Sequence, residues 1–216
     1  DAGSIAVDGI DASQIDGLAV SAYGMVSTDE IFSVSEVPHP GFPGIFFQDG
    51  VYTTTVEVPP NSPRLAAEIL ETTSPDLDML VVFDADGDGV LESSDVDERA
   101  CQSARAGSRE TCSIASPDPG AWFVLVANYE ASSAGRDDAR LAAVAIPALE
   151  VGNLKLEILS EPQSSGMIKP LLAWNEPALE PGDRWYGALG FASAPGLAHD
   201  MGLVPVNILR REDDVT

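Results

Sequence analysis

The apolar residues of this chain recur with a period of two over short segments. In "LKLEI" (residues 154–158), the three apolar side chains would lie on one face of a strand and Lys155 and Glu157 on the other. Nineteen glycines and sixteen prolines punctuate such segments, in turn sequences such as "DPG" and "EPGD", and helical periodicity is nearly absent. The pattern therefore predicts an all-β protein made of antiparallel sheets.

Eight further segments have the same strand-like pattern. They cover residues 51–58, 64–70, 76–84, 121–129, 140–146, 168–174, 184–191 and 202–210. Short strands at this spacing, separated by turns, are typical of antiparallel β-sandwich domains of the jelly-roll or immunoglobulin-like kind.

Three blocks follow one another along the chain. Residues 1–44 form an N-terminal segment that ends in "VPHPGFPG", whose prolines predict a stiff connector. Residues 45–148 hold the strands around an acidic loop and predict a β-sandwich. Residues 149–216 hold four strands, which are few for a separate core. The first block is therefore a candidate to supply strands to the last, which would make the middle block an insertion.

The charge balance excludes some functions. Asp and Glu number 35 against 11 Lys and Arg, which gives a net charge of -24. A nucleic-acid backbone would be repelled, and no apolar run approaches the roughly 20 residues of a membrane span. Two interpretations remain open: the acidity binds cations or basic partners, or it keeps the protein soluble in salty surroundings.

The acidic loop "DADGDGVLESSD" (84–95) has the D-x-[DN]-x-[DN]-G spacing of an EF-hand-type calcium loop, in which alternate oxygens surround a hard cation. A strand-like segment precedes it, so a paired EF-hand is not expected. Asp at the twelfth position, in place of Glu, indicates a weaker or water-completed site. The alternative is a surface loop that binds nothing. The predicted calcium ligands are Asp84, Asp86, Asp88, the carbonyl of Val90, Glu92 and Asp95.

A second acidic group is a further candidate site. Asp76 and Asp78 lie on one face of their predicted strand, close to an apolar edge, and Glu110 is its third member. Carboxylates in such a place need a cation or several backbone N–H donors. The alternative is a strand end that projects into solvent.

Cys101 and Cys112 are the only cysteines, and ten residues separate them. A disulfide between them would close an exposed hairpin loop and stabilise the fold by about 3 kcal/mol. It would also indicate an oxidising compartment. Two free thiols, or a metal-binding pair, are the alternatives.

Motifs for catalysis are absent from the sequence. It contains no G-T-S, H-G-T-H, H-E-x-x-H or G-x-S-x-G segment, and His39 and His199 both lie in loop-like sequence. His199 next to Asp200 could act as a general base, but an isolated pair of this kind usually lies on the surface without a catalytic role.

Trp174, Trp185 and Tyr186 are candidates for an aromatic platform that binds a polymer; core packing is the alternative.

Three segments of the middle block follow one another in a fixed order: "SPDLDMLVVFDADGDG", "SRETCSI" and "SPDPGAWFVLVANYE". Through them, residues 45–148 resemble the bacterial pre-peptidase C-terminal domain, a small β-sandwich found beside secreted peptidases. The last block is similar to the fibronectin-III-like sandwich that follows the catalytic domain of large subtilases. The matching residues of the middle block are Asp76, Leu77, Asp78, Met79, Val81, Glu110, Pro119, Gly120, Trp122, Val124 and Val126.

These resemblances imply a non-catalytic C-terminal accessory region of a secreted bacterial subtilisin-like protease. Calcium would stabilise it, and it would serve stability, secretion or substrate binding. Its partners would be the parent protease's catalytic domain and an insoluble protein substrate. The alternative is an extracellular adhesive or polymer-binding module, for collagen or polysaccharide, that is not tied to a protease.

Overall fold

β-Strands dominate the structure, a computed structural model that describes residues 2–6, 10–11, 17–158, 167–168 and 170–211. Two short 3-10 helices, Gly44–Phe47 and Ser93–Asp95, interrupt them, and no described helix is long and apolar enough to span a membrane. The strands are β1 Ala2–Ala6, β2 Ile10–Asp11, β3 Ala19–Val26, β4 Glu30–Ser35, β5 Tyr52–Val58, β6 Arg64–Thr72, β7 Asp76–Phe83, β8 Cys101–Ser103, β9 Thr111–Ala115, β10 Gly120–Glu130, β11 Arg136–Ile146, β12 Leu154–Ile158, β13 Met167–Ile168, β14 Pro170–Asn175, β15 Arg184–Ala192 and β16 Gly202–Leu209.

The chain divides into two compact units. The middle unit is Thr28–Ala145, and the outer unit consists of Asp1–Ser27 and Ile146–Thr216. Both are built from antiparallel sheets, so the all-β sandwich predicted from the sequence is confirmed.

The middle unit is a sandwich of two four-stranded sheets, with strand orders β5-β10-β7-β8 and β4-β11-β6-β9. Alternate side chains of β7 and β10 point into the space between the sheets and meet those of β6 and β11. This core contains Leu77, Met79, Val81, Trp122, Val124 and Val126 from the first sheet and Leu65, Ala67, Ile69, Ala139 and Leu141 from the second.

Strands β7 and β10 are buried on both faces. On their outer face, Leu80, Phe123 and Leu125 pack against Ile45 and Phe46 of the first 3-10 helix. A strand that is covered on both sides has no polar face, which explains the nearly continuous apolar runs in these two segments. The same outer face carries Asp76 and Asp78, because side chains alternate along β7.

The outer unit contains two three-stranded sheets, with strand orders β1-β14-β12 and β16-β15-β3, and the two-stranded sheet β13-β2. Strands from the first 27 residues thus pair with strands from the last third of the chain: β1 with β14, and β3 with β15. A small core of Met25, Leu154, Leu189 and Val206 lies between the three-stranded sheets.

Candidate functional site

The acidic loop begins where β7 ends. Asp84 is only 4% exposed, and its backbone N–H donates to the carbonyl of Ala121 in β10 at 3.0 Å. Its carboxylate accepts hydrogen bonds from the backbone N–H groups of Gly87 and Gly89, each at 2.9 Å. Both glycines have positive φ angles, of 72° and 75°, which other residues rarely adopt. Asp84 therefore fixes the tight turn of the loop.

Asp86 and Asp88 lie in this turn, and both are exposed. Asp86 accepts a hydrogen bond from the backbone N–H of Asp88 at 3.2 Å, and Asp88 accepts one from that of Val90 at 2.7 Å. One carboxylate oxygen from each of Asp84, Asp86 and Asp88 lies within 4.8 Å of the others. Calcium binds oxygen at about 2.3–2.6 Å, so oxygens at this spacing can share one ion. Because every donor is a hard oxygen, the group fits a hard cation.

The electrostatics of the loop are unfavourable without a positive charge. The hydrogen bond from the backbone of Asp88 lowers the pKa of Asp86, but partial desolvation and the charges of Asp88 and Asp84 outweigh it, so the pKa is raised. Each ionised carboxylate keeps lone pairs that these hydrogen bonds do not use. A cation would use them and remove the repulsion.

The second half of the loop has a different local role. Asp95, which is 4% exposed, accepts a hydrogen bond from the backbone N–H of Glu92 at 2.8 Å, and the Glu92 carboxylate accepts one from the backbone of Asp95. This reciprocal capping box begins the 3-10 helix Ser93–Asp95. Val90, whose carbonyl is the other predicted ligand of this half, has an exposed side chain. Among the described residues, the carboxylates that lie close enough together to share an ion are those of Asp84, Asp86 and Asp88.

The second acidic group lies at the start of β7. Asp78 is 8% and Glu110 2% exposed, whereas Asp76 is half-buried and accepts a hydrogen bond from the backbone N–H of Gly107 at 2.9 Å. Burial, followed by the charges of Asp76 and Glu110, raises the pKa of Asp78 to about 6, and the charge of His39 acts in the opposite direction. One buried oxygen of Glu110, Oε2, has no hydrogen-bond partner among the described residues.

The predicted disulfide is present. Cys101 in β8 and Cys112 in β9 are bonded, with their Cα atoms 5.9 Å apart. Since β8 is an edge strand of one sheet and β9 of the other, the bond joins the two layers of the sandwich. Residues 102–111, between the cysteines, line a cavity of about 680 Å³.

A buried polar network near the second acidic group was not foreseen from the sequence. Asp137, 1% exposed, accepts hydrogen bonds from Thr73 Oγ1 at 3.1 Å, Asn128 Nδ2 at 3.1 Å and the backbone N–H of Ser132 at 2.9 Å. Burial raises the pKa of Asp137, but these hydrogen bonds outweigh burial and lower it. Asn128 directly follows the apolar residues of β10. This polar residue at the end of a buried strand was the feature of the sequence that could have indicated the network.

The three aromatic candidates lie in the outer unit. Trp174 and Trp185 are half-buried and pack against its core, and Tyr186 is 1% exposed, so the Tyr186 ring offers no surface to a polymer.

Asp200, the neighbour of His199, accepts hydrogen bonds from Ser193, at 2.9 Å from the backbone N–H and 2.7 Å from Oγ.

The family model of the bacterial pre-peptidase C-terminal domain matches residues 50–128. The match runs from the turn before β5 into β10, and it includes the acidic loop, the disulfide and the second acidic group. No curated protein matches the chain. The resemblance of the middle block is thus confirmed over these residues, whereas the fibronectin-III-like likeness of the last block stays a prediction.

Proposed function

We propose that this chain is a non-catalytic accessory region of a secreted bacterial subtilisin-like protease, and that calcium at Asp84, Asp86 and Asp88 stabilises its middle sandwich. The observation that carries the proposal is the pre-peptidase C-terminal match over residues 50–128. Domains of this family are non-catalytic and are typically found at the C-terminal end of secreted bacterial proteases. The Cys101–Cys112 disulfide fits an oxidising, extracellular location.

The acidic loop supports the calcium part of the proposal. Asp84 is already held in place by two backbone N–H groups, so it would bind an ion with little further loss of conformational entropy. Asp86 and Asp88 would complete the group, with water in the remaining positions. A bound ion would neutralise the three charges and fix the connection that follows β7. Glu92 and Asp95 would support the loop through the capping box.

In this proposal the region serves the parent enzyme through stability, secretion or substrate attachment. Its partners would be the catalytic domain of that enzyme and an insoluble protein substrate. Pull-down on insoluble collagen, chitin and cellulose tests the last role. Retention on a polysaccharide, without affinity for protein, would favour a polymer-binding module instead.

The decisive experiment is thermal unfolding of the purified chain with millimolar calcium and with excess chelator. A ligand that binds only the folded state at a hundredfold excess over Kd stabilises it by about 2.7 kcal/mol, which raises Tm by several degrees. The double variant Asp86→Asn/Asp88→Asn should show a clearly smaller shift than the wild type, because its loop no longer holds the ion. The control Asp49→Asn/Glu57→Gln removes the same charge from exposed positions outside the loop and should keep it.

Two results would contradict the proposal. An equal calcium shift in the loop variant and in the wild type would show that the ion binds elsewhere. Hydrolysis of a peptide substrate by the purified chain would show that the region is catalytic.

A further inference from the structure

The second acidic group lies beneath the loop that the disulfide closes. This loop runs from β8 to β9 and is held at the start of β7 by two hydrogen bonds. Gly107 N–H donates to Asp76 at 2.9 Å, and Ser108 Oγ donates to the carbonyl of Ser74 at 2.7 Å. Asp78 and Glu110, two acids that usually lie in water, are 8% and 2% exposed in this arrangement.

These two buried carboxylates lack a positive partner. Glu110 Oε2 accepts no hydrogen bond from any described residue, and none of the described salt bridges includes Asp78 or Glu110. The cationic group whose charge acts on Asp78 is His39, but His39 is exposed and stacks on the ring of Tyr129 at 4.1 Å. A buried acceptor without a donor requires an explanation, and an ion is one of the few available.

We propose that Asp78 and Glu110 form a second binding site for a hard divalent cation, calcium in particular, that is separate from the acidic loop. Both residues offer only carboxylate oxygens, which such cations prefer. Asp76 stays bonded to Gly107 and contributes its charge rather than a ligand atom. Glu110 also lines the cavity of about 680 Å³ along residues 102–111, so water can approach the site from the side of Glu110.

The site would connect two parts of the sandwich. Asp78 belongs to β7 in one sheet, and Glu110 directly precedes β9, an edge strand of the other. A cation between them would stabilise the same junction as the disulfide, without requiring the acidic loop. Calcium binding at Asp78 and Glu110 therefore does not depend on calcium binding at Asp84, Asp86 and Asp88.

The experiment counts calcium ions on the full chain by native mass spectrometry and calorimetry at pH 8. The wild type should bind two equivalents. Glu110→Gln, which keeps the shape of the side chain, should bind one, with at least about a tenfold loss of affinity at the second site. Asp86→Asn/Asp88→Asn should also bind one, and the exposed control Glu57→Gln should bind two.

A wild type that binds one equivalent, lost in the loop variant, would overturn this inference and leave the proposed function intact. Two equivalents in Glu110→Gln would also overturn it. One equivalent that is lost in Glu110→Gln and kept in the loop variant would support it and contradict the loop site. If Glu110→Gln fails to fold, Asp78→Asn takes its place; a variant counts as folded when its circular dichroism spectrum matches that of the wild type and it unfolds cooperatively.

Discussion

Two buried aspartates near one end of the middle sandwich have opposite environments. Asp137 is 1% exposed and accepts three hydrogen bonds, and its pKa is lowered. Asp78 is 8% exposed, no described residue donates a hydrogen bond to its carboxylate, and its pKa is raised to about 6. They are close in the fold, because Asp78 pairs with Ala127 in the β7–β10 ladder and Asn128, the next residue, donates to Asp137.

The difference shows that burial alone does not set the charge state of a carboxyl group. Desolvation raises the pKa of both residues; hydrogen-bond donors then lower that of Asp137, whereas the charges of Asp76 and Glu110 raise that of Asp78 further. Asp137 is therefore an anion that the protein itself satisfies. Asp78, beside Asp76 and Glu110, needs a proton or a cation from the solvent.

The largest effect should come from Asp137→Asn. An amide has one acceptor oxygen in place of two, so either Thr73 Oγ1 loses its acceptor or Asn128 and Ser132 meet an NH₂ group, and the remaining hydrogen bonds lose the negative charge that strengthens them. We expect the free energy of unfolding to fall by about 3 kcal/mol, measured in urea with excess chelator. The exposed substitution Asp49→Asn is the control and should change stability by less than about 0.5 kcal/mol. A loss as small as that of the control would show that the network does not stabilise Asp137.

The next largest effect concerns the disulfide that closes the loop from β8 to β9, over Asp78 and Glu110. Cys101→Ser/Cys112→Ser should lower the free energy of unfolding by between about 2 and 3 kcal/mol, because the closed loop is short and the unfolded chain gains freedom. Reduction of the wild type should give the same loss, which controls for the serine side chains. If the reduced wild type keeps its full stability, the loop is held by its hydrogen bonds to Asp76 and Ser74 alone.

Much of the fold could be predicted from local pattern. All nine segments with period-two or continuous apolar pattern coincide with strands, since burial of alternate side chains is a local property of the sequence. Strands β3 and β8 were not predicted, for two different reasons. β3, "AVSAYGMV", has small residues and weak alternation, and β8, "CQS", is too short to show a period.

The site could be predicted only in part, for a related reason. The spacing of Asp84, Asp86 and Asp88 is local, and the structure places one oxygen of each within 4.8 Å of the others. Two donors to Asp137, Asn128 and Ser132, lie within nine positions of it, but the contrast with Asp78 also depends on partners that are distant in sequence. Thr73, for example, donates to Asp137 across 64 positions. No local pattern specifies which aspartate receives such a donor.

A smaller effect, of opposite sign, is expected for Asp78→Asn in excess chelator. In the wild type the raised pKa means that the folded state binds more protons than the unfolded state between about pH 4 and pH 6. The contribution of protonated Asp78 to the free energy of unfolding is therefore fully present below about pH 4, and it is lost as the pH rises through about 6. At pH 8 the asparagine variant should be more stable than the wild type by about 1 kcal/mol, a value reduced for solvent screening.

The measurement is the difference in the free energy of unfolding between the wild type and Asp78→Asn across this pH range, because the many other acids then cancel. A difference that does not change with pH would show that Asp78 titrates normally. Addition of calcium should reverse the sign at pH 8 if Asp78 binds the ion.

The smallest effect should come from His39→Phe, which keeps a ring against Tyr129 and removes a charge that lowers the pKa of Asp78. The titration midpoint of Asp78 should then rise above its wild-type value of about pH 6. The rise should be only a few tenths of a pH unit, because the charge of an exposed residue is strongly screened. The carboxyl carbon shift of Asp78, followed by NMR in chelator, measures this midpoint directly. High salt should reduce the difference between the wild-type and variant midpoints, because it screens the charge of His39 that only the wild type carries. An unchanged midpoint in His39→Phe would mean that burial, Asp76 and Glu110 alone set the pKa, so the positive charge that Asp78 lacks would have to come entirely from solution.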